Sequence, residues 1–565
     1  MLVAGAVVLF GCAAPPATQR QEGASDGQAQ RSPKTLRMAF IREPVDGVVL
    51  FSGSGDILRQ FNWIFHTGLT TFDAQGNLLA RIARKVPSVE DGDWKVLPDG
   101  GMEVTWKLRS NVKWHDGTPL TAEDFVFGIE VARDPQLPLP HTGGVDLVKE
   151  VLAPDSETLV VRWSSTYYGA NQGTPAEMPA VPRHIVGDLY RQGDPNLFTN
   201  SSFWTREWVG LGPYRMGNWE VGSHTEALAF DDYFLGRPKI DRLIIRYITD
   251  TNVIVANLLS GDVDEVNVGT LKPDDLVPVK NAWQASGDGT VVETMTDVVA
   301  ARLSYRDPAA PWVQDKRVRH ALVHGIDRQA LTDTFTPVDG VRPPDIFAST
   351  DDPVYRLADQ RGIPRYPYDV AQAERLMGEA GWRRAADGIF QNASGQRFNI
   401  EVRVVANAPV NVRRGEALVD QWKQSGFGSE IYPIPTQSRD RQELKANAPG
   451  VFVMPDTMTP DLFDLFRSSQ VATVQNRWNG RNLLGYVNPE FDRRYDEYNN
   501  TLEVAKRQSA HADLLRWMAD EMVYLPLYYD VGSTTTAFRK GIRGPGPVPA
   551  VQVITTWNIH EWEMG

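Results

Sequence analysis

WKLRSNVKWHDGTPLTAEDFVFGIEVA, residues 106–132, reads as a strand, a turn and a capped helix in direct succession. Val104, Trp106 and Leu108 alternate with Thr105, Lys107 and Arg109, the period of a half-buried strand. His115-Asp116-Gly117 supplies turn chemistry, since Gly accepts positive φ and Asp bonds the backbone two residues on, and Pro119 holds off a helix. Thr121-Ala122-Glu123-Asp124 has the form of a capping box, after which Phe125, Val126, Ile129 and Ala132 share one helical face. Every polar residue in the stretch, His115 and Asp116 included, reads as part of a structural corner without chemistry.

Working outward, 565 residues allow about three or four domain-sized units, and 42% hydrophobic residues are ample for large cores. The net charge of -13 argues against a nucleic-acid binder, which carries a basic face, and points to small solutes or proteins as partners. Cys12 is the single cysteine, so no internal disulfide forms. It ends the apolar run LVAGAVVLFGC, the pattern of a bacterial lipoprotein signal over residues 1–12 in which Cys12 is lipidated and becomes the new N-terminus. No Lys or Arg precedes that run, and an ordinary signal peptide or a short buried helix is the competing reading. Residues 13–34, rich in Ala, Pro, Gln, Ser and Gly, bury too little apolar area to order themselves and read as a flexible tether. No later stretch reaches about 18 consecutive apolar residues, so the body does not read as a membrane span.

The remainder alternates strands and helices. A first strand starts near Leu36, and residues 56–68 follow as a helix. Leu243 to Ile248 reads as a strand leading to a helix over Asn252 to Leu259 with Gly261 as its C-cap. HALVHGIDRQAL, residues 320–331, reads as one helix; Asp369 caps another that sets Ala373, Leu376, Met377 and Ala380 on one face. Strands at residues 398–405 and 430–435 flank a helix over residues 412–424, which indicates an α/β lobe. LPLYYDVGSTTTAF, residues 525–538, runs back toward the first lobe.

No nucleophile elbow, metalloprotease motif or phosphate or dinucleotide loop is present, so the chain is expected not to be an enzyme, with no cofactor and no metal. His320 and His324 have the spacing of a helical metal pair but no third ligand nearby, and structural positions are the preferred reading. Asp231-Asp232 and Asp351-Asp352 read as solvated turns rather than acid/base pairs.

The opening stretch resembles the signature of the family 5 extracellular solute-binding proteins, receptors of ABC importers for peptides, nickel chelates and some oligosaccharides. Gly68-Leu69-Thr70, Gly76 and Leu79-Ala80 precede it at the distance seen in that family. Further along, Gly212, Pro213, Tyr214, Tyr233, Gly236, Pro238, Asp241, Gly261 and Asp264 fit its pattern, as does Asp315-Lys316-Arg317-Val318-Arg319. The resemblance implies an α/β, two-lobed periplasmic-binding-protein fold of class II, the large three-subdomain type, with a hinge and an interlobe ligand cleft. Its expected layout is a first-lobe core from residues 35–68, 204–299 and 525–565, an inserted subdomain at 69–203, and a second lobe at 300–524. It also implies a monomeric receptor in the cell envelope that serves an ABC permease and ATPase; with the Cys12 signal and the acidic charge, the expectation is a protein held to the membrane by its lipid and binding no nucleic acid.

Site residues follow from the same resemblance. Asp456 stands where the family's aspartate takes a peptide α-ammonium, with Val453 and Met454 beside it; Val453 replaces a tryptophan, and Thr457 and Thr459 also depart from the pattern. Burying an ammonium demands an opposite charge and acceptors. Arg413 and Arg414 stand at the helix that holds a ligand carboxylate, where a guanidinium grips bidentately or a solvated helix start is the alternative. Gln60, Asn62 and Trp63 map onto a backbone segment beside the ligand. Short peptides are the expected solute; an oligosaccharide stacked on aromatics or a nickel chelate stays open, and a cell-surface hydrolase is the rival from another class.

Overall fold

The computed structural model describes residues 33–565 except 45–55, 138, 140–142, 337–339, 351, 407–408, 436–440, 477, 479, 532–533 and 549. The expected signal, Cys12 and nearly all of the tether lie outside the described residues.

The strand Met102–Lys107 buries Met102, Val104 and Trp106 and turns its other residues outward, as the alternation requires. At the turn Gly117 takes φ +90 and the Asp116 carboxylate accepts from the Thr118 N–H at 2.9 Å. The helix Ala122–Ala132 then starts at Thr121, whose N–H donates to Asp124 Oδ2 at 2.9 Å. Asp124 is buried and also accepts from the Arg183 N–H, so one carboxylate ties the turn, the helix and a later helix together. The helix differs from expectation in burying more than one face. Phe125 and Ile129 pack into a cluster with Trp106 and Trp114, whereas Phe127 and Val131 join the cluster under the largest sheet. A helix held between two cores is apolar nearly all round.

Two large sheets organise the chain. The first has the order Gly289–Glu293, Thr535–Arg539, Glu265–Val266, Thr35–Phe40, Arg242–Tyr247, His224–Ala229, Tyr214–Glu220. The second runs Gly428–Ile434, Asn399–Val405, Val451–Thr457, Asp297–Leu303, Leu525–Asp530. The chain passes between them twice, from Glu293 to Asp297 and from Asp530 to Thr535. The crossings are bonded to each other: the Thr294 N–H donates to Thr534 O at 3.2 Å, and Thr296 Oγ1 donates to Thr534 Oγ1 at 3.1 Å. Threonine suits this hinge because the Thr534 hydroxyl donates to the Thr294 and Val531 carbonyls while accepting from Thr296 where the ladders stop.

These crossings move the expected lobe boundaries. Asp297–Leu303 pairs with Leu525–Asp530, so both strands belong to the second lobe, and the borders expected at 299/300 and 524/525 fall instead at the crossings. The inserted unit is also smaller than 69–203. Val181, Val186, Phe198 and Phe203 pack against the first-lobe sheet rather than with the cluster of Trp106 and Trp114. The helix expected over residues 320–331 is two, Lys316–His324 and Arg328–Phe335, because Asp327 caps a new start by accepting from the Ala330 N–H at 3.0 Å.

Candidate functional site

Thr35–Phe40 runs parallel to Arg242–Tyr247 and Glu265–Val266, and Asn399–Val405 runs parallel to its two neighbours. In both sheets the carboxyl ends of these parallel strands lie at the hinge side: Val266 pairs with Ala537 just after one crossing, and Thr457 and Asp530 both pair with Asp297 beside the other. Open α/β sheets bind ligands beyond those ends. The cleft therefore lies between the two sheets, floored by the threonine hinge.

On the second-lobe wall, Val451–Thr457 carries several expected site residues. Its ladder to Asn399–Val405 covers Val451 and Phe452 alone, so Val453 to Thr457 pair on one edge, with Asp297 to Ala301. Val453 turns its side chain into the second-lobe core and Met454 is half-buried. Asp456 is buried and bonded within the chain: Arg302 Nε donates to its Oδ2 at 2.8 Å and Arg302 Nη2 to its Oδ1. Burial pushes the Arg302 guanidinium down to about 9, which leaves it charged at neutral pH.

Arg414 is buried and committed, with Nη2 on Asp530 Oδ2 and Nη1 on Asn411 Oδ1 at 3.2 Å, and it braces the strand that enters the hinge. Arg413 is exposed, and its Nη2 lies 3.9 Å from Asp274 Oδ2 on the opposite lobe. The two adjacent arginines thus divide into a brace and a group at the mouth of the cleft.

On the first-lobe wall, Gln60, Asn62 and Trp63 lie on the helix Asp56–Phe65 and are all buried. The Gln60 amide donates to Val553 O at 2.9 Å and accepts from the Thr555 N–H at 2.9 Å, so its side chain anchors the C-terminal segment. Sequence reasoning missed Glu265 and Asn267. Both are fully buried at the hinge end of a short strand. Glu265 Oε2 and both Asn267 amide atoms have no hydrogen-bond partner among the described residues. Desolvation by burial raises the Glu265 pKa well above the carboxylate range, which disfavours the charged form. The signal available was their place immediately after Gly261 and Asp264, which match the family pattern.

The inserted unit reaches the second lobe. Tyr498 donates to Tyr168 Oη at 3.1 Å, and the Arg507 guanidinium sits 4.8 Å over the Tyr168 ring. The remaining candidates are structural: His115 Nδ1 accepts from the Gly210 N–H at 3.0 Å and its Nε2 faces Gly212 O at 3.0 Å, with burial lowering its pKa to about 4. His320 and His324 face separate backbone carbonyls, of Asp520 and Pro367.

Two α/β lobes on a double-crossover hinge, with a polar cleft between them, define a two-lobed periplasmic-type binding protein. The chain belongs to the bacterial extracellular solute-binding proteins, family 5, whose family model, named "family 5 Middle", matches residues 86–472. It is 24% identical to the oligopeptide-binding protein AppA of Bacillus subtilis over 94% of this chain and 92% of that one. Its fold is similar to the oligopeptide-binding protein of Thermus thermophilus complexed with a pentapeptide, at a TM-score of 0.71 and 22% identity over 94% of this chain and 96% of that one. It is also similar to NikZ of Campylobacter jejuni in complex with Ni(L-His), at a TM-score of 0.69 and 22% identity over 94% of this chain and 99% of that one. No helix among the described residues is long and apolar enough to cross a membrane.

Proposed function

We propose that the protein captures short peptides in the interlobe cleft and delivers them to an ABC permease, without catalysing a reaction on them. The observation that carries the peptide reading is the backbone edge of residues 453–457, which leaves its neighbouring strand after Phe452. An extended peptide adds to such an edge through main-chain hydrogen bonds, with pockets for alternate side chains. The buried Asn267 amide on the facing lobe supplies a donor and an acceptor for a further peptide group. The similarity to oligopeptide-binding AppA along nearly the whole chain supports the same solute class.

In this reading Val453, Met454 and Asp456 form one wall, and Gln60, Asn62 and Trp63 back the other. Arg413 meets a peptide carboxylate near the mouth while Arg414 holds the hinge strand. Ligand contacts to both lobes stabilise the closed state, which is the signal a permease reads. The chain works as a monomer tethered through lipidated Cys12, and Cys12→Ser releases it from the membrane fraction.

Thermal unfolding of protein stripped by unfolding and refolding tests the solute class. A peptide at 100 times its dissociation constant adds about 2.7 kcal/mol and raises the midpoint. A shift with cello-, malto- or xylo-oligosaccharides, or with a nickel chelate, and none with any peptide overturns the peptide reading.

A further inference from the structure

The carboxylate that would meet a ligand ammonium on the second-lobe wall already has a counter-ion. Arg302 and Asp456 stand on the same face of their antiparallel pair, Arg302 opposite Phe452 and Asp456 opposite Val298. The guanidinium therefore reaches along the sheet toward the cleft, past Ala300, whose small side chain leaves it room. Both partners are buried, at 4% and 6% side-chain exposure, and both carboxylate oxygens accept from the one guanidinium. A bidentate pair of this kind satisfies the carboxylate in charge and in direction. It is also costly to break from one side, because the remaining charge is left buried and uncompensated.

Arg413 at the cleft mouth is a cation and offers an ammonium nothing. Burial disfavours the charged form of Glu265, and Asn267 is an uncharged amide; both have unmatched polar atoms among the described residues. The Arg414 charge is matched by Asp530.

We propose that Arg302 is a specificity-determining residue: by neutralising Asp456 it makes the cleft bind peptides through their backbone amides, without requirement for a free α-ammonium, so that N-blocked peptides are ligands equal to free ones. This rests on the peptide reading above. An ammonium competing for Asp456 would have to displace a guanidinium that is itself buried and bonded to both carboxylate oxygens, so the free terminus gains nothing there. A terminal ammonium instead stays solvated or meets other groups.

The test is calorimetric titration of refolded protein with matched peptide pairs, free and N-acetylated, chosen from those that raise the unfolding midpoint. The expected result is that acetylation changes the dissociation constant by less than about threefold. The same pairs are then measured with Arg302→Met, which leaves Asp456 without its partner; free peptides are expected to gain at least about tenfold over acetylated ones. The wild-type comparison alone decides the matter if that variant does not fold. A loss of about thirtyfold or more on acetylation in the wild type overturns the role of Arg302 while the peptide reading stands. If no peptide of either kind binds, the peptide reading fails and this inference fails with it.

Discussion

His66 shows how a single side chain sets the protein's response to acid. It is fully buried, stacked on Trp114 and edge-on to Trp208, and neither ring nitrogen has a partner among the described residues. Burial lowers its pKa from 6.5 to about 3, so the folded protein keeps it neutral where the unfolded chain protonates it. Between those values the unfolded state binds more protons, and stability therefore falls as pH drops below 6.5. His66 alone removes about 2 kcal/mol between about pH 7 and 5 on this basis. His560, also lowered to about 3, acts in the same direction. His66→Phe keeps the aromatic contacts and removes the titrating group, so denaturant unfolding of the variant loses less stability across that interval; an unchanged pH slope refutes the assignment. At this scale sequence reading reached Asp456 but not its partner. Arg302 lies 154 residues away in the chain, and no local pattern reports a pairing made by strand register. Asn267 and Glu265 escaped for the same reason, since a polar residue on a short strand reveals nothing of its burial.

Secondary elements were legible wherever the chemistry is local. Asp369 starts its helix and Gly261 ends one as their types dictate. The break between His324 and Arg328 was hidden because the apolar period continues across it, while the Asp327 cap acts on backbone geometry. Close approach between elements was equally invisible. Gly128, on the helix Ala122–Ala132, faces Pro179 so closely that an added Cβ would lie 2.0 Å from the Pro179 carbonyl oxygen. Backbone cannot yield as a flexible side chain does. Gly128→Ala is therefore expected to cost about 1–3 kcal/mol by overpacking, despite alanine's better helix propensity. Urea unfolding checks this, and a neutral or stabilising result would show that the helix shifts freely between its two cores.

At the scale of the whole molecule, family membership and the two-lobed plan were readable from the signature stretch, whereas the lobe borders were not. Between Leu525–Asp530 and Thr535–Arg539 only Gly532-Ser533 interrupts the apolar and β-branched run, a signal that marks a break but not a passage from one sheet to the other. Besides the hinge, the lobes meet through Arg413 with Asp274 and through Tyr168 with Tyr498 and Arg507. The first pair is exposed and contributes little. The second is the more consequential, since it combines a hydrogen bond, an aromatic contact and a guanidinium over a ring. Tyr168→Ala is expected to weaken ligand binding about fivefold or more, chiefly through faster release, because it removes contacts made between the lobes. Stopped-flow release rates equal to wild type would place Tyr168 outside the closing motion.

If the cleft is a peptide site, one peptide occupies it in each chain. Native mass spectrometry of the protein as purified, before any unfolding, reads that occupancy, with tandem fragmentation of whatever is released on denaturation. Adducts of one peptide per chain are expected, heterogeneous in sequence, and they disappear after unfolding and refolding. A single adduct that fragments as a glycan or as a metal chelate, with no peptide among the released species, would contradict the peptide reading.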